Sequence, residues 1–226
     1  MRSGDKVLVC GGSGGIGSAI CRALAKADYR PVIGFRSDEK KATTLAAKTN
    51  GLALHLDLED DESIAGAITS LAADSMPLAG VVLAASPPPV IAPFGKIDAV
   101  NAARQWRVNV EGPRQLLVGL VRLMRQRQSG VVVAMLTEAM GDENRPAAGK
   151  MSDYVIAKFG LVGLMRVIAA EYPWLKTQLV YPGYTETPML DAFDPRFLDS
   201  LRAALPEGKF ETPESVAGKV VAAMGA

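Results

Sequence analysis

Short apolar runs alternate with helical patterns along the whole chain, and this alternation limits the folds that the sequence can adopt. Six apolar runs predict strands, at Lys6–Cys10, Pro31–Phe35, Leu52–Leu56, Gly80–Ala85, Val131–Leu136 and Thr177–Tyr181. Helices are predicted at Ile16–Ala27, Ser37–Lys48, Glu59–Ala73, Ile97–Gln128, Ser152–Tyr172, Pro188–Ala204 and Pro213–Met224. Apolar strands that alternate with helices are typical of a parallel sheet covered on both faces. We therefore expect an α/β fold with one doubly wound parallel sheet of six strands.

The length and the charge of the chain further limit its domain organisation and the classes of partner that it could bind. The 226 residues contain no linker or repeat, so that we expect a single domain over residues 1–226. The 25 basic and 24 acidic residues favour neither nucleic acid nor an anionic membrane as a partner. No apolar stretch approaches the roughly 18–20 residues of a membrane span, and Met1–Lys6 does not resemble a signal peptide. Two cysteines, Cys10 and Cys21, are too few for a disulfide framework, which favours a cytoplasmic protein.

His55 is the only histidine of the chain. A Ser-His-Asp triad could use only this histidine, and the chain lacks the histidines for a metal site built from several of them. We expect no metal ion in the functional site.

A glycine loop follows the first predicted strand and opens the first predicted helix. It reads Gly11-Gly-Ser13-Gly14-Gly15-Ile16-Gly17. Gly11 permits a tight turn, Gly15 lets the backbone approach a pyrophosphate, and Gly17 allows close packing of helix and strand. Exposed amides and the helix dipole favour negative charge there. The loop predicts a dinucleotide site, with a glycine-rich turn that binds nothing as the alternative.

The end of the second predicted strand bears on the choice of dinucleotide. An acidic residue there would bind the ribose 2′-hydroxyl, but the strand ends in Gly34-Phe35-Arg36-Ser37. A guanidinium suits a 2′-phosphate, so NADP(H) is favoured over NAD(H), although Arg36 could also be a solvated residue at a helix start. Asp57, after the third strand, is placed to accept a hydrogen bond from the adenine amino group, or else to cap the next helix.

Tyr154 and Lys158 lie four residues apart in a helical pattern and therefore share a face. A free phenol, with a pKa of about 10, is a poor base at neutral pH. A nearby cation would stabilise the phenolate and lower that pKa. The pair predicts proton transfer, whereas the alternative is an ordinary solvated helix face.

Together these features resemble the short-chain dehydrogenase/reductase family, with its Rossmann-like fold. The resemblance covers residues 5–220 and rests on Gly11–Gly17, Asp57, the Asn109 segment, Tyr154, Lys158 and the stretch Pro182–Met189. It implies hydride transfer between a nicotinamide and a carbonyl or alcohol. It also implies a set of cofactor contacts, namely the glycine loop, Arg36, Ser37, Asp57, Leu58, Ala84, Ala85, Tyr154, Lys158, Pro182, Gly183, Thr185 and Thr187.

The resemblance also implies catalytic roles. Tyr154 would protonate the carbonyl oxygen, and Lys158 would hold the nicotinamide ribose and lower the tyrosine pKa. Asn109 would anchor, through its backbone and water, a proton relay from the lysine to solvent. Thr137 aligns with the family's substrate-orienting serine and keeps a hydroxyl that can polarise a carbonyl, or it merely caps the strand end.

Other departures from the family concern the segments around Tyr154 and Lys158 and the end of the chain. Leu83-Ala84-Ala85-Ser86 replaces the family's NNAG stretch and is similar to the ketoreductase domains of polyketide synthases. Gly141–Pro146 is a polar insert, expected to reshape the pocket rim. Ser86–Pro89 is either a stiff loop or a rigid pocket wall. The chain ends at Ala226 without the usual seventh strand, so that we expect a monomer, or a homodimer through the two long helices, and not a tetramer.

The predicted 97–128 helix carries many arginines. They are Arg104, Arg107, Arg114, Arg122, Arg125 and Arg127, against one acid, Glu111. They could receive an acidic carrier protein or a coenzyme A phosphate, or they could form a solvated or dimer-lining face.

The function that these features favour is reduction of a ketone by NADPH, with a small-molecule or carrier-bound 3-oxoacyl substrate. Two alternatives stay open. One is a catalytically idle dinucleotide sensor or scaffold of the same fold. The other is an alcohol dehydrogenase that works in the oxidative direction.

Overall fold

The computed structural model describes residues 4–205 and 207–225. Its strands are β1 (Lys6–Cys10), β2 (Arg30–Phe35), β3 (Leu52–His55), β4 (Leu78–Leu83), β5 (Gly130–Met135) and β6 (Leu175–Val180). Its α-helices are α1 (Gly15–Lys26), α2 (Glu39–Thr49), α3 (Asp61–Ala73), α4 (Ala99–Trp106), α5 (Gly112–Arg125), α6 (Ser152–Glu171), α7 (Pro195–Ala204) and α8 (Pro213–Met224). A π-helical turn, Arg107–Glu111, joins α4 to α5, and short 3₁₀ turns cover Glu138–Met140 and Pro188–Ala192.

The six strands form one parallel sheet in the order β3-β2-β1-β4-β5-β6. This confirms the predicted fold class and the number of strands. The strand order reverses between β1 and β4, and such switch points at the carboxyl edge of a sheet are where ligands bind in open α/β folds. The glycine loop leaves β1 at this point.

Both faces of the sheet are covered by helices, because its strands are apolar on both sides. One core packs α1, α2 and α8 against the sheet around Ile20, Leu45 and Val220. The other core packs α3, α5 and α6 against the opposite face around Ile64, Leu117 and Leu161. The strands β1, β4 and β5, from whose ends the site is built, are therefore packed against helices on both faces.

The long helix predicted over 97–128 is not one α-helix. It is interrupted by the π-helical turn, in which the N–H of Gly112 donates to the carbonyl of Arg107. Pro113 has no N–H to donate to the carbonyl of Asn109, and a Cβ on Gly112 would lie 2.4 Å from the carbonyl oxygen of Leu58. The periodicity of apolar residues does not register this local widening, which lies at Asn109.

Two further boundaries differ from the predictions. Asp38, and not Ser37, caps α2, because its carboxylate accepts a hydrogen bond from the N–H of Lys41 at 2.9 Å. The segment predicted as one helix over 188–204 is split into a 3₁₀ turn and α7, since Asp194 caps a new helix that starts at Pro195.

Within the described residues, none of the helices is both long and apolar enough to cross a membrane. The expectations about a signal peptide and a seventh strand rest partly on Met1–Ser3 and Ala226. These residues lie outside the described residues.

Candidate active site

The glycine loop is held in shape by close backbone contacts. Gly11 has a φ of +73°, a conformation that favours glycine. A Cβ on Gly11 would lie 2.9 Å from the Cα of Ala85, and one on Gly17 would lie 2.2 Å from the carbonyl oxygen of Gly11. Side chains at these positions would therefore collide with backbone.

The loop leads into an open helix N-terminus. Helix α1 begins at Gly15, with Gly14 at its N-cap and no side chain capping the first turn. Ser13 and Ile16 flank this turn and are half-buried. The first-turn N–H groups and the positive end of the helix dipole are suited to a phosphate group.

The proline–glycine loop, residues 182–189, folds over the glycine loop. A Cβ on Gly15 would lie only 2.6 Å from Cγ2 of Thr187, so that the two loops approach each other closely at this point. Only glycine at position 15 allows this close approach.

The same loop is held by contacts along its first half. The carbonyl of Pro182 accepts a hydrogen bond from the N–H of Glu138 at 2.9 Å, and the Thr185 hydroxyl donates to the carbonyl of Gly183 at 3.0 Å. Thr185 is buried and forms a parallel bridge with Glu211, near the start of α8. The segment before α8 therefore holds this loop over the sheet edge.

Arg36 lies at the end of β2, as predicted, but it is not a free cation. Its Nη1 lies 2.8 Å from Oε2 of Glu59, and the same carboxylate accepts two hydrogen bonds from Arg104, at 2.9 and 3.1 Å. Burial of Glu59 tends to raise the pKa of its carboxyl, but the two arginines together hold that pKa below its usual value. Ser37, next to Arg36, is exposed.

Asp57 follows β3 and does not cap α3, so that this alternative is wrong. The cap is Asp60, whose carboxylate accepts hydrogen bonds from the N–H groups of Glu62 and Ser63. Asp57 instead closes a local turn, accepting from the N–H of Glu59 at 2.9 Å. Its neighbour Leu58 is buried in the core, so that only its backbone is available to a ligand.

Tyr154 and Lys158 lie on one face of α6, with Lys158 Nζ 5.5 Å from the centre of the Tyr154 ring. Lys158 is 2% exposed and donates to the carbonyl oxygen of Met135 at 2.8 Å. Burial lowers the pKa of Lys158 to about 7. The ammonium is thus poised between its two protonation states at neutral pH.

The expected lowering of the tyrosine pKa is wrong for this state of the protein. Burial raises the pKa of Tyr154 to about 12, and a hydrogen bond with Thr137 only partly offsets that effect. The cause is shared with Lys158: the lysine is buried and the tyrosine is half-buried, and desolvation disfavours the charged form of each. The phenol of Tyr154 is therefore protonated at neutral pH.

Thr137 caps the turn that follows β5, and its role in orienting a substrate carbonyl stays a prediction. Its hydroxyl oxygen accepts a hydrogen bond from the N–H of Ala139 at 3.1 Å, which caps the 3₁₀ turn Glu138–Met140. The same side chain hydrogen-bonds the phenol of Tyr154. The threonine hydroxyl therefore lies beside the phenol oxygen, where a carbonyl to be protonated would also lie.

Asn109 lies in the π-helical turn and is 1% exposed. Its Nδ2 donates two hydrogen bonds at 3.0 Å, to the carbonyl oxygen and the Oε1 of Gln105. Among the described residues, its Oδ1 is buried without a hydrogen-bond partner. Such an acceptor is offered to a water or a ligand.

A cavity of about 400 Å³ joins these groups. It brings together Ile16, Ala84, Thr137, Tyr154, Lys158, Pro182, Gly183, Thr185 and Thr187. The adenosine-side residues Arg36, Ser37, Asp57 and Leu58 do not line it, and neither does Asn109, which lies behind it. Ala85 packs against Gly11.

The outer wall of the cavity consists of residues that no motif or periodicity in the sequence predicted one by one. Tyr184 is the centre of an aromatic wall, with ring centroids 5.7 Å from Phe193 and 5.8 Å from Phe210. Leu190 and Leu205 add to this surface. Their spacing has no period, because they come from a loop, a 3₁₀ turn and a helix end. Only the proximity of this segment to the motif at 182–189 could have indicated them.

Both unusual segments reach the cavity. Pro89 of the proline loop, residues 86–89, lines it, as do Arg145 and Pro146 of the 141–146 insert. The expected reshaping of the rim by the insert agrees with this placement. Arg145 donates to the carbonyl oxygen of Glu138 at 3.2 Å, which ties the insert to the turn after β5.

The arginine-rich helix is less basic in three dimensions than in sequence. Four of its arginines contact acids, in the pairs Arg104–Glu59, Arg107–Asp61, Arg114–Glu111 and Arg127–Asp5. Three of these acids come from other elements, so that the premise of a single opposing acid is wrong. Arg122 and Arg125 remain as candidates for contact with an acidic partner.

No group of three His, Cys, Asp or Glu side chains in residues 4–205 and 207–225 is arranged to hold a metal ion. Burial raises the pKa of both Cys10 and Cys21 to about 12, so that neither is a thiolate at neutral pH.

Comparisons with known proteins agree with this geometry. The short chain dehydrogenase family model matches residues 5–196. A cis-4-hydroxycyclohexanecarboxylate dehydrogenase of Sinomonas cyclohexanicum is 27% identical, over 93% of this chain and 85% of its own. A 3-oxoacyl-(acyl-carrier-protein) reductase of Aggregatibacter actinomycetemcomitans is 28% identical, over 98% and 92%.

A solved structure is also similar to this chain. A protein from Beutenbergia cavernae, described as an NAD(P)-dependent gluconate 5-dehydrogenase and solved with NADP at low occupancy, superposes with a TM-score of 0.83. It is 26% identical, and the match covers 97% of this chain and 88% of that one.

Proposed function

Because this chain belongs to the short-chain dehydrogenase family, we propose that it is an NADPH-dependent reductase of ketones. The observation that carries the proposal is the enclosed Tyr154–Lys158 pair, with the Thr137 hydroxyl on the phenol, at the floor of a cavity that reaches the glycine loop. We also propose that residues 1–226 form one domain, since both halves of the site share one sheet.

The dinucleotide would lie along the carboxyl edge of the sheet. The glycine loop and Thr187 would hold its pyrophosphate, and Asp57, Leu58, Ala84 and Ala85 would line its adenosine half. Lys158 and the 182–185 segment would hold its nicotinamide half. When bound and reduced, the cofactor supplies the hydride.

The chain's own residues supply the proton. Tyr154, whose pKa of about 12 keeps it protonated, would donate its proton to the carbonyl oxygen of the substrate, and Thr137 would orient that oxygen. Lys158, with a pKa of about 7, would return a proton to the phenolate at neutral pH. Asn109 would link this lysine to water.

The cavity lining favours a ketone with an apolar body. Apart from the Tyr154–Lys158–Thr137 group, most of its wall consists of aliphatic and aromatic side chains, including the aromatic wall around Tyr184. Against most of this wall the hydroxyls of a sugar-like substrate would lose water without gaining partners, since Ser86, Glu138 and Arg145 are the few polar side chains on the rest of the lining besides Thr185 and Thr187. A free alicyclic ketone or a carrier-bound 3-oxoacyl chain fits better, and the carrier would be received by Arg122 and Arg125.

The preference for NADPH rests on Arg36. Its ion pair with Glu59 leaves the guanidinium half exposed, and a 2′-phosphate can share it. A substituted Arg36 therefore tests the cofactor proposal separately from the chemistry.

The test is a turnover assay with NADPH or NADH and a panel of apolar ketones, 3-oxoacyl thioesters and keto sugars. We expect NADPH oxidation with an apolar ketone, and about a tenfold or larger shift in kcat/KM toward NADH in Arg36→Glu. Arg22→Glu, an exposed arginine on α1, is the control and keeps the wild-type preference. Tight NADPH binding without turnover on any substrate would favour the sensor alternative.

We propose a homodimer through the α4–α5 segment and α6, which cover the two helices predicted over 97–128 and 152–172. Exposed apolar side chains on α4 and α6, among them Val100, Ile156, Phe159 and Val167, form the surface that supports it. A single chain in sedimentation velocity at micromolar concentration would contradict this assembly.

A further inference from the structure

Arg145 lies on the 141–146 insert, and the backbone of this insert fixes its position. The carbonyl oxygen of Arg145 accepts a hydrogen bond from the N–H of Asp142 at 2.9 Å, and the N–H of Arg145 donates to the carbonyl oxygen of Asp142 at 3.3 Å. Gly141, with a φ of +70°, lets the chain enter this turn, because a Cβ there would collide with the carbonyl oxygen of Arg145. The insert is therefore a closed turn that holds Arg145 at the cavity.

The guanidinium of Arg145 has N–H groups that its own contacts do not use. Nη2 donates to the carbonyl oxygen of Glu138 at 3.2 Å, and Nε lies 3.7 Å from Oδ2 of Asp142. The pair with Asp142 is long and exposed on both sides, so that solvent screens it. A guanidinium has five N–H groups, and its planar fork matches a carboxylate through two parallel hydrogen bonds. Most of the fork is therefore available to a ligand in the cavity.

The other charged groups of the cavity do not neutralise this guanidinium. Glu138 and Lys158 are the remaining acidic and basic side chains of the described lining. Lys158 donates to the carbonyl oxygen of Met135, and the carboxylate of Glu138 lies beside the proline–glycine loop, since a Cβ on Gly183 would be 3.0 Å from its Oε2. Within residues 4–205 and 207–225, no ion pair joins the side chains of Glu138 and Arg145. Arg145 can therefore attract a negative charge on a ligand.

Arg145 and the Tyr154–Lys158 pair lie at different depths of the cavity. The Arg145 side chain is 57% exposed, whereas Lys158 is 2% exposed. Arg145 is thus at the mouth and the pair at the floor, while most of the remaining lining is apolar. A ligand that satisfies all three regions has a carbonyl at one end, an apolar body and an anion at the other end.

We propose that the substrate is a keto acid whose carboxylate, remote from the ketone, is bound by Arg145 at the mouth of the cavity. The ketone lies against Tyr154 and Thr137, and the apolar body lies against the aromatic wall around Tyr184. Reduction converts the ketone into a hydroxy acid, with a hydride from NADPH and a proton from Tyr154, and leaves the carboxylate unchanged. The proposal rests on the reductase activity proposed above and narrows its substrate class.

The first test compares 6-oxoheptanoate with its methyl ester, which has the same ketone and chain but no charge. We expect kcat/KM of the wild type to be at least about tenfold higher for the acid. In Arg145→Gln this preference should fall below about twofold through a higher KM for the acid, while kcat/KM for the ester and the Kd for NADPH stay within about twofold. Arg145→Lys should keep part of the preference, because it retains the charge without the planar fork.

The ratio between acid and ester is a readout that a merely structural role of Arg145 would not move, since a distorted cavity would impair both substrates. Lys150→Gln is the matched control, because it removes an exposed cation close to the insert that does not line the cavity. It should keep the wild-type ratio. An acetoacetyl-phosphopantetheine thioester tests the other source of negative charge. A loss in Arg145→Gln that is confined to this thioester would assign the anion as a phosphate and overturn the keto-acid proposal.

Calorimetric titration of the complex with NADP⁺ measures binding without turnover, because the oxidised cofactor has no hydride to give to a ketone. We expect 6-oxoheptanoate to bind the wild-type complex about tenfold more tightly than its ester, and both to bind Arg145→Gln alike. Equal affinity of the wild type for acid and ester would overturn the role of Arg145, even if both are reduced. A wild type that binds the acid through Arg145 and reduces neither compound would contradict only the proposed activity.

Discussion

The glycine loop and the outer wall of the cavity lie on opposite sides of the same site and are built in different ways. At Gly11 and Gly17 the neighbours of a hypothetical Cβ are backbone atoms, so that the path of the chain dictates the residue. At Phe193 and Tyr184 the neighbours are side chains from other loops. The first region can hardly change without loss of the site, whereas the second can vary and so change the substrate.

The largest effect is expected at the rigid region, in Gly17→Ala. The new Cβ would lie 2.2 Å from the Gly11 carbonyl oxygen, so that the loop must move. We expect loss of measurable NADPH binding, and a free energy of unfolding lower by about 1–3 kcal/mol. Calorimetric titration and urea unfolding measure the two.

The control for this change is Gly66→Ala in α3, where a Cβ would meet nothing within 4 Å. That variant should be slightly more stable than the wild type, because alanine favours a helix over glycine by up to about 1 kcal/mol. Equal NADPH affinity in Gly17→Ala and the wild type would show that the loop is as adaptable as the outer wall.

The difference between the two regions also explains which features of the structure could be predicted from the sequence. The strands, the glycine loop and the Tyr154–Lys158 pair were predicted, because each depends on local pattern and backbone sterics. The π-helical turn at Asn109, the Glu59 bridge on Arg36 and the aromatic wall were not. Each of these depends on contacts between segments far apart in sequence, such as Gly112 with Leu58, and no period or motif records such contacts.

The raised tyrosine pKa has the same origin. From sequence, only the neighbouring lysine is visible four residues away. The desolvation that raises the pKa of Tyr154 comes from residues of several segments around it, and desolvation also lowers the pKa of Lys158.

The next largest effect is expected in Lys158→Met, at a residue that lies between the glycine loop and the outer wall. In the unfolded chain the lysine has its ordinary pKa, and in the folded protein about 7, so that the unfolded state binds more protons between these values. The free energy of unfolding of the wild type should therefore rise from pH 7 to pH 9 relative to that of the variant, by about 1.4 kcal/mol per pH unit at most. Below pH 7 the variant is the more stable protein.

Urea unfolding of both proteins at pH 6, 7.5 and 9 measures this difference, with Lys176→Met, an exposed lysine on β6, as the control. Parallel pH profiles for the wild type and Lys158→Met would mean that the ammonium is solvated and the site open.

A smaller effect is expected at the outer wall, in Phe193→Ala. The half-buried ring contacts Tyr184 and Phe197, and its loss removes apolar surface that would contact the substrate. We expect KM for an apolar ketone to rise about tenfold, with little change in kcat or in NADPH affinity. Steady-state kinetics check it against Phe94→Ala, which removes an 83% exposed ring outside the cavity. A loss of NADPH binding would show that the two regions are not separable.

The most direct test of the whole account is the single-turnover rate of NADPH oxidation in Tyr154→Phe, with a ketone that the wild type reduces. The variant removes one oxygen and keeps the ring, so that NADPH affinity should stay within about twofold while the rate falls at least a hundredfold. Tyr172→Phe, at the end of the same helix, should match the wild type. A rate in Tyr154→Phe equal to that of the wild type would contradict the assignment of Tyr154 as the proton donor.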